Sequence, residues 1–327
     1  MTNNIFQEYK LFDIDPISLR SENFYQDLIA ERKAYWKERR ELIKDDNSAQ
    51  CTLCDSNDNH LYLEYYGYKL FQCESCHAIF ANIVFNEKYN QLIYDNDMYE
   101  ENTKREILDT YQYRKEKFGK ERFEYITNKC EFSPGKILLD LGCGPGYFLK
   151  YLDEQNIQCK GLELTQYLVD ICKNSGLNVS QSTLEKELDQ QYDIITMFDV
   201  LEHLHEPIDF FKLANRKIKK GGHILAFTPN IHSFAFYFQK GKQNLLSPYE
   251  HVLFYSKESL DYLAEQTGFA IVSIEFFGLD LIDYFSMKGS EDCVNYNEKL
   301  SEIIPYMQAL IDKEKISNHM RVVFKKI

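Results

Sequence analysis

The sequence predicts an α/β fold with a parallel sheet covered by helices on both faces and a small cysteine-built module in front of it. Three observations carry this. Strand and helix patterns alternate from residue 136 onward. A glycine turn, Gly142-Cys143-Gly144-Pro145-Gly146, joins the first of these strands to its helix. Two CxxC pairs, Cys51/Cys54 and Cys73/Cys76, stand 18 residues apart between two helical stretches.

In order, residues 1–46 predict a helical arm. Phe24, Leu28, Tyr35 and Leu42 recur at helical spacing, and Glu31, Arg32, Lys33, Lys37, Glu38, Arg39 and Arg40 form an opposite, solvated face. Residues 47–85 hold the cysteines, with a hairpin expected over 60–71. Residues 86–130 read as a helical linker. Ser133-Pro134-Gly135 is a turn. Strands follow at 136–141, 158–163, 178–181, 194–198, 223–228, 270–277 and 320–325. Helices are expected at 146–155, 166–175, 207–218 and 256–267, with Lys220-Gly221-Gly222 as a turn. Residues 131–327 thus form one domain, with a helical insertion at about 285–318.

The 38 basic and 51 acidic residues give a net charge of −13, which opposes a broad grip on a phosphate backbone. The first ten residues are polar, and no apolar run approaches the roughly 18 residues of a membrane span. A cytoplasmic protein with reduced thiols is expected, so its cysteines are read as metal ligands or buried groups before disulfides.

A GxGxG turn brings a ligand close to backbone that carries no Cβ. The dinucleotide form GxGxxG would need glycine at 147, where Tyr147 stands, so the turn suits a ligand without a pyrophosphate. Glu163 ends the second strand 23 residues after Asp140, placed to accept hydrogen bonds from ribose hydroxyls. A nucleoside ligand is expected. The CxxC-x18-CxxC spacing fits a four-thiolate structural zinc site with no open coordination position. A module of about 35 residues would draw its folding energy from the metal. His60 and His77 are read as surface residues.

The segments LDLGCGPGYF, GLELT, YDIITMFDVLEHLHEP, KKGGHILAFTPN and HVLFYSKESLDYLAEQTGF, in this order, resemble the motifs of class I S-adenosylmethionine-dependent methyltransferases. The resemblance covers about residues 110–280 and the final strand. The VLEHL block is similar to the branch holding ubiquinone-type O-methyltransferases and many sugar or surface-glycan methyltransferases. The cysteine module, followed by Tyr94 to Tyr99, resembles the N-terminal zinc module of sugar and capsule methyltransferases, without the extended signature of the deoxysugar C-methyltransferases.

The resemblance implies a Rossmann-like sheet, mostly parallel with its last strand antiparallel. It implies that Asp140, Gly142 and Gly144 line the methionine end of the cofactor. Glu163 would hold the ribose, Leu164, Thr183 and Leu184 would flank the adenine, and Phe198 and Asp199 would face the methionine portion and the methyl. Tyr111, Tyr113 and Arg114 lie where such enzymes contact the cofactor carboxylate. His203, His251 and His205 are the candidate bases. The loop 230–250, with Phe234, Phe236, Tyr237, Phe238 and Tyr249, is expected as a lid and acceptor wall. Lys240 and Lys242 are candidate partners for a phosphate.

The expected function is methyl transfer to a small acceptor, a sugar, nucleotide-linked sugar or glycan precursor, with O- or N-methylation favoured. An RNA methyltransferase using the zinc ribbon is the alternative, opposed by one lysine against four acids over residues 47–82. A non-catalytic S-adenosylmethionine-binding interaction protein is a third. The zinc module is also a candidate for shaping the acceptor site or for an oligomer contact.

Overall fold

The computed structural model describes residues 14–16, 19, 24–39, 42, 49–65, 68–85, 88–94, 100, 101, 103–133, 135–247 and 249–327. Pro134, Arg40, the segment 95–99 and the side chains of Tyr35, Lys37 and Glu38 lie outside the described residues. No helix among the described residues is long and apolar enough to cross a membrane.

The arm forms α1 (Phe24–Glu38). The cysteine module supplies β1 (Asn59–Tyr65), β2 (Tyr68–Cys73) and β3 (Ile79–Ala81). A helical stretch follows, with α2 (Tyr89–Tyr94) and, after two π-helical turns, α3 (Lys120–Lys129). The alternation then runs β4 (Leu138–Leu141), α4 (Tyr147–Glu154), β5 (Cys159–Glu163), α5 (Gln166–Asn174), β6 (Val179–Gln181), β7 (Tyr192–Phe198), α6 (Pro207–Lys217), β8 (Ile218–Pro229), α7 (Phe234–Gln239), β9 (Leu253–Phe254), α8 (Lys257–Thr267) and β10 (Phe269–Phe277). Helices α9 (Asp280–Asp292) and α10 (Ile304–Lys313) precede β11 (His319–Lys326).

Seven strands form one sheet in the order β10-β11-β8-β7-β4-β5-β6. β4 to β8 pair in parallel, and β11 is antiparallel to both its neighbours. The central β4 is buried along its whole length, as expected of a strand covered on both faces. The order reverses at β4, so the β4 and β7 ends open on a crevice. Local signals fix the helix ends. Ser256 and Ser259 build a capping box on α8, and Gly268 closes it at φ +75°.

Four boundaries differ from the sequence reading. Lys220-Gly221-Gly222 is not a free turn. β8 starts at Ile218 opposite Tyr192, and the register resumes at Ile194 and His223, so the extra residues bulge with Gly221 at φ +74°. The loop 230–250 contains a helix, α7, capped by Ser233. The helical insertion begins at Asp280. The cysteine hairpins are completed from the large domain: β3 pairs with β9, making a sheet β1-β2-β3-β9 whose core runs on into the main one.

The arm also departs from expectation. Arg32 is not on a solvated face but 3% exposed, and it donates to the carbonyls of Gly241 at 2.7 Å, Gln243 at 2.6 Å and Asn244 at 3.2 Å. Phe24 and Tyr25 pack on Met287 of α9. Helix α1 therefore seals the far side of the crevice.

Candidate active site

A cavity of about 950 Å³ opens over the carboxyl ends of β4, β5 and β7 and reaches the arm. That is ample for a nucleoside-sized ligand and a second small molecule. Its floor is the glycine turn. Gly142, Gly144 and Gly146 take φ of +63°, +54° and +80°, values that favour glycine. A Cβ on Gly142 would stand 2.8 Å from Val200 Cγ2, whereas at Gly144 nothing lies within 4 Å. Gly144 is thus the point of open backbone that a ligand can approach.

Glu163 straps this turn. One carboxylate oxygen accepts the Gly144 N–H at 2.9 Å, and the other accepts Leu164 N–H at 2.8 Å and Thr165 N–H at 3.0 Å. A carboxylate has about four lone-pair sites, so the strapped form leaves room for one ribose hydroxyl. Asp140 is buried beside it and accepts from Thr196 Oγ1 at 2.6 Å; burial pushes its carboxyl up to about 7. Leu164, Thr183 and Leu184 line the same cavity, with Leu164 exposed and Leu184 buried. The cradle fits the nucleoside cofactor that the sequence implies.

Phe198 and Asp199 end β7 at the cavity. The Arg122 guanidinium lies 4.0 Å over the Phe198 ring and 4.0 Å from Asp199 Oδ2, and also meets the Tyr147 hydroxyl. His319 Nε2 sits 3.3 Å from Asp199 Oδ1. Burial alone would raise the Asp199 carboxyl, but the His319 contact and the Arg122 guanidinium hold it at about 2. Nothing in the sequence pattern singles out Arg122 or His319, because they come from α3 and the last strand. Arg114 lines the cavity, while the Tyr113 hydroxyl accepts from the Asp15 N–H at 2.7 Å.

Beyond Asp199, a one-turn helix (Leu201–His203) brings Glu202, His203 and His251 together. His203 Nε2 and His251 Nε2 stand 3.9 Å and 3.8 Å from Glu202 Oε1, a buried atom with no hydrogen-bond partner. The donor atoms of all three lie within 4.8 Å of one another, close enough to share a proton or a small cation. The outer nitrogens are engaged: His203 Nδ1 with the Tyr94 hydroxyl at 2.9 Å, and His251 Nδ1 with the Leu245 carbonyl at 2.7 Å. Burial pushes Glu202 well up, and pushes His203 down to about 3 and His251 down to about 4. Both directions favour an uncharged trio. His205 is not part of it. Its ring stacks on Phe85 at 3.4 Å and meets the edge of Tyr89, so it braces the loop against the linker.

The expected aromatic wall is not what lines the acceptor end. Phe236 and Tyr249 are buried in the core and Tyr237 is 70% exposed. The lining comes from Asn244, Leu245, Ser247 and Glu250 of the loop, and from Leu28, Glu31 and Arg32 of the arm. Neither Lys240 nor Lys242 is among the lining residues, and Lys242 pairs with Glu291 at 2.5 Å.

The four module cysteines converge. Cys51 and Cys76 sulfurs are 3.6 Å apart and those of Cys54 and Cys73 are 3.5 Å apart. The two CxxC turns repeat one geometry. Asp55 N–H donates to the Cys51 carbonyl and His77 N–H to that of Cys73, with Asp55 and His77 at φ +58° and +59°. The sulfurs approach the edge of about 3.8 Å that a tetrahedron with metal–sulfur bonds of ~2.3 Å requires. The cluster could hold one metal ion. His60 instead pairs with Glu74 at 2.6 Å.

The chain is similar to known methyltransferases. A family model described as "Methyltransferase domain" matches residues 99–274. The ubiquinone biosynthesis O-methyltransferase of Vibrio vulnificus (strain YJ016) is 29% identical over 126 residues, 35% of this chain and 54% of that protein. The protein of the same name from Aliivibrio fischeri (strain MJ11) is 27% identical over 162 residues, 45% of this chain and 69% of its own length. The chain spans about half the length of the Vibrio relatives it matches. A solved SAM-dependent methyltransferase from Archaeoglobus fulgidus aligns with a TM-score of 0.49 and 22% identity, over 70% of this chain and 100% of that one. The family match takes in more than half of the 327 residues, and it contains both the glycine cradle and the Glu202 trio: the chain belongs to the methyltransferase-domain family.

Proposed function

We propose that this chain transfers a methyl group from S-adenosylmethionine to a hydroxyl or amine of a small polar acceptor, with sugar-like molecules the favoured class. The observation that carries the reading is the placing of Glu202, His203 and His251 in the same cavity as the Gly144 cradle. The cofactor supplies an electrophilic methyl on a sulfonium. The chain's own residues must orient the acceptor, exclude water and receive its proton. With its Nδ1–H given to the Leu245 carbonyl, His251 turns an unprotonated Nε2 inward. His203 is held by Tyr94. Either imidazole can take the acceptor's proton as the new bond forms, and Glu202 beside them can give up its own proton once a ring is charged, so that the pair ends as carboxylate and imidazolium.

Asn244, Ser247 and Glu250 are among the residues lining the cavity, and their polar side chains can accept from or donate to a polyhydroxyl acceptor. Lys242 is committed to Glu291, so a phosphate on the acceptor would not be met by the lysines of this loop. The cysteine cluster is read as a structural zinc site, supported by its sulfur spacing and by its place beside a different sheet from the one that carries the glycine cradle. The test is a panel of free sugars, nucleotide sugars and catechols with labelled S-adenosylmethionine. Label transfer to sugars that is lost in His203→Ala or His251→Ala supports the reading. Transfer only to catechols removes the sugar assignment, and transfer unaffected in the double variant removes the base.

A further inference from the structure

Helix α10 turns Gln308 and Asp312 inward and an apolar stripe outward. Its buried face is Ile304, Gln308, Ala309 and Ile311. Gln308 Oε1 accepts the Leu281 N–H at 3.2 Å, and its Nε2 donates to Asp280 Oδ2 at 3.2 Å and to Asp312 Oδ1 at 2.9 Å. Asp312 Oδ1 also accepts from the Ser317 hydroxyl at 2.6 Å. The opposite face carries Ile303, just before the helix, then Tyr306, Met307 and Leu310. They are 52%, 46%, 40% and 45% exposed. These are four of the twelve large apolar side chains exposed among the described residues, gathered in one stretch at helical spacing. A single exposed leucine means little. A contiguous stripe on a helix already anchored by its other face marks a contact surface.

We propose that this stripe is the interface of a homodimer, in which α10 packs antiparallel against α10 of a second copy. The stripe is its own complement. Positions 303, 306, 307 and 310 are symmetric about the midpoint between 306 and 307. A two-fold axis there sets Ile303 against the partner's Leu310 and Tyr306 against the partner's Met307. The flanking charges agree. Glu298, Lys299 and Glu302 leave the N-terminal end net negative, Lys313, Glu314 and Lys315 leave the C-terminal end net positive, and all six are exposed. Antiparallel pairing brings unlike ends together, whereas parallel pairing would oppose like charges. The four apolar side chains expose roughly 350 Å² per copy. Buried together with their flanks they suit a weak dimer at the low end of specific interfaces, below about 1,200 Å² in total. The chain's net charge of −13 opposes an anionic lipid surface as the occupant. On its buried side α10 packs on α9 through Ile304, Ile311, Leu281 and Ile282, and α9 meets the arm through Met287. The dimer contact therefore backs the elements that hold the arm over the cavity.

The test is analytical ultracentrifugation of the full chain. The parent is expected to pass from monomer to dimer over about 1 to 200 μM. Met307→Glu and Leu310→Glu are each expected to raise the dissociation constant about tenfold or more, while the circular dichroism spectrum stays that of the parent. Glu302→Lys and Lys313→Glu should each weaken the dimer, because each gives the two ends the same sign. Together they exchange the signs and should restore it. These two side chains are exposed, so the charge exchange decides the matter should a glutamate in the stripe lower the melting temperature. A parent that stays monomeric throughout overturns the proposal. So does a dimer that survives Leu310→Glu, or a charge exchange without recovery. Dimerisation only after removal of residues 2–13 would assign the stripe to that segment and also overturns it. The same holds if a monomeric parent floats with phosphatidylcholine vesicles and Leu310→Glu does not, since the stripe would then meet lipid.

Discussion

Gly144 donates its amide N–H to Glu163 at 2.9 Å, tying the glycine turn after β4 to the end of β5. The carboxylate therefore shapes the turn and keeps one lone-pair site open to the cavity, where the proposed cofactor would set its ribose. Glu163→Ala removes both. The expected outcome is a 10- to 100-fold loss of S-adenosylhomocysteine affinity, about 1.4 to 2.8 kcal/mol, by calorimetry. Glu163→Gln should cost nearly as much, because one carboxylate oxygen becomes an NH₂ facing a backbone N–H. An affinity unchanged in both variants would remove Glu163 from the site.

The cysteine module should reach the reaction centre through its sheet. β3 pairs with β9, which begins two residues after His251, and the Tyr68 hydroxyl donates to the His251 carbonyl. The cradle stands on the other sheet. Cys54→Ser, or chelation, is expected to remove about one zinc per chain, lower the melting temperature and abolish methyl transfer. S-adenosylhomocysteine binding should survive. Elemental analysis, a thermal melt and calorimetry check the three parts. Loss of binding and transfer together would mean that the two sheets do not separate in this way.

Arg32 is buried and bound to three carbonyls more than 200 residues away in sequence. Arg32→Ala leaves Gly241, Gln243 and Asn244 without that donor. Hydrogen bonds to a charged group contribute roughly 1.5 to 3 kcal/mol each and are not additive, so a loss of about 3 kcal/mol is expected in urea unfolding. Arg32→Lys should recover part of it, since an ammonium cannot span the same fork. A change below about 0.5 kcal/mol would place Arg32 among surface residues after all.

What was legible in the sequence is what lies within one turn or one repeat of the chain. The GxGxG run, Glu163 at the end of the next strand and the two CxxC knuckles each depend on a few neighbouring residues, and their geometry follows from local backbone rules. The helix expected at 256–267 has the ends of α8 for the same reason, with Ser256 as its cap. The parts that were not legible are assembled across long separations. Arg32 belongs to a helix whose polar pattern reads as solvated, and only the loop at 241–244 makes it a core residue. His319 sits on the last strand, and it meets Asp199 only because β11 inserts between β8 and β10. β9 is two residues long and carries no pattern, yet it joins the module to the domain. His203 and His251 were both candidates, but their meeting over Glu202 needed the short β9 sheet to hold His251 in place.

The buried histidines should leave a mark on stability as a function of pH. His203 and His251 titrate at about 3 and about 4 in the folded protein, against 6.5 when unfolded, because burial disfavours the charged ring. Between those values the unfolded chain binds more protons than the folded one, so stability falls as the pH drops below 6.5. The contribution is fully present above 6.5 and is lost progressively toward 4 and then 3. Asp140 and Asp280 work in the opposite sense. Burial raises both from 3.8 to about 7, so their contribution is present below 3.8 and is lost as the pH rises to 7. The parent's curve contains both trends, and the informative quantity is the difference between it and His203→Gln/His251→Gln. The variant should show a shallower fall between pH 6.5 and 4, the slopes differing by at most about 2.7 kcal/mol per pH unit for two protons. Urea unfolding at a series of pH values measures it. Parallel curves would mean that the two rings are not held neutral, and with that the case for an inward-facing basic nitrogen on His251 would be lost.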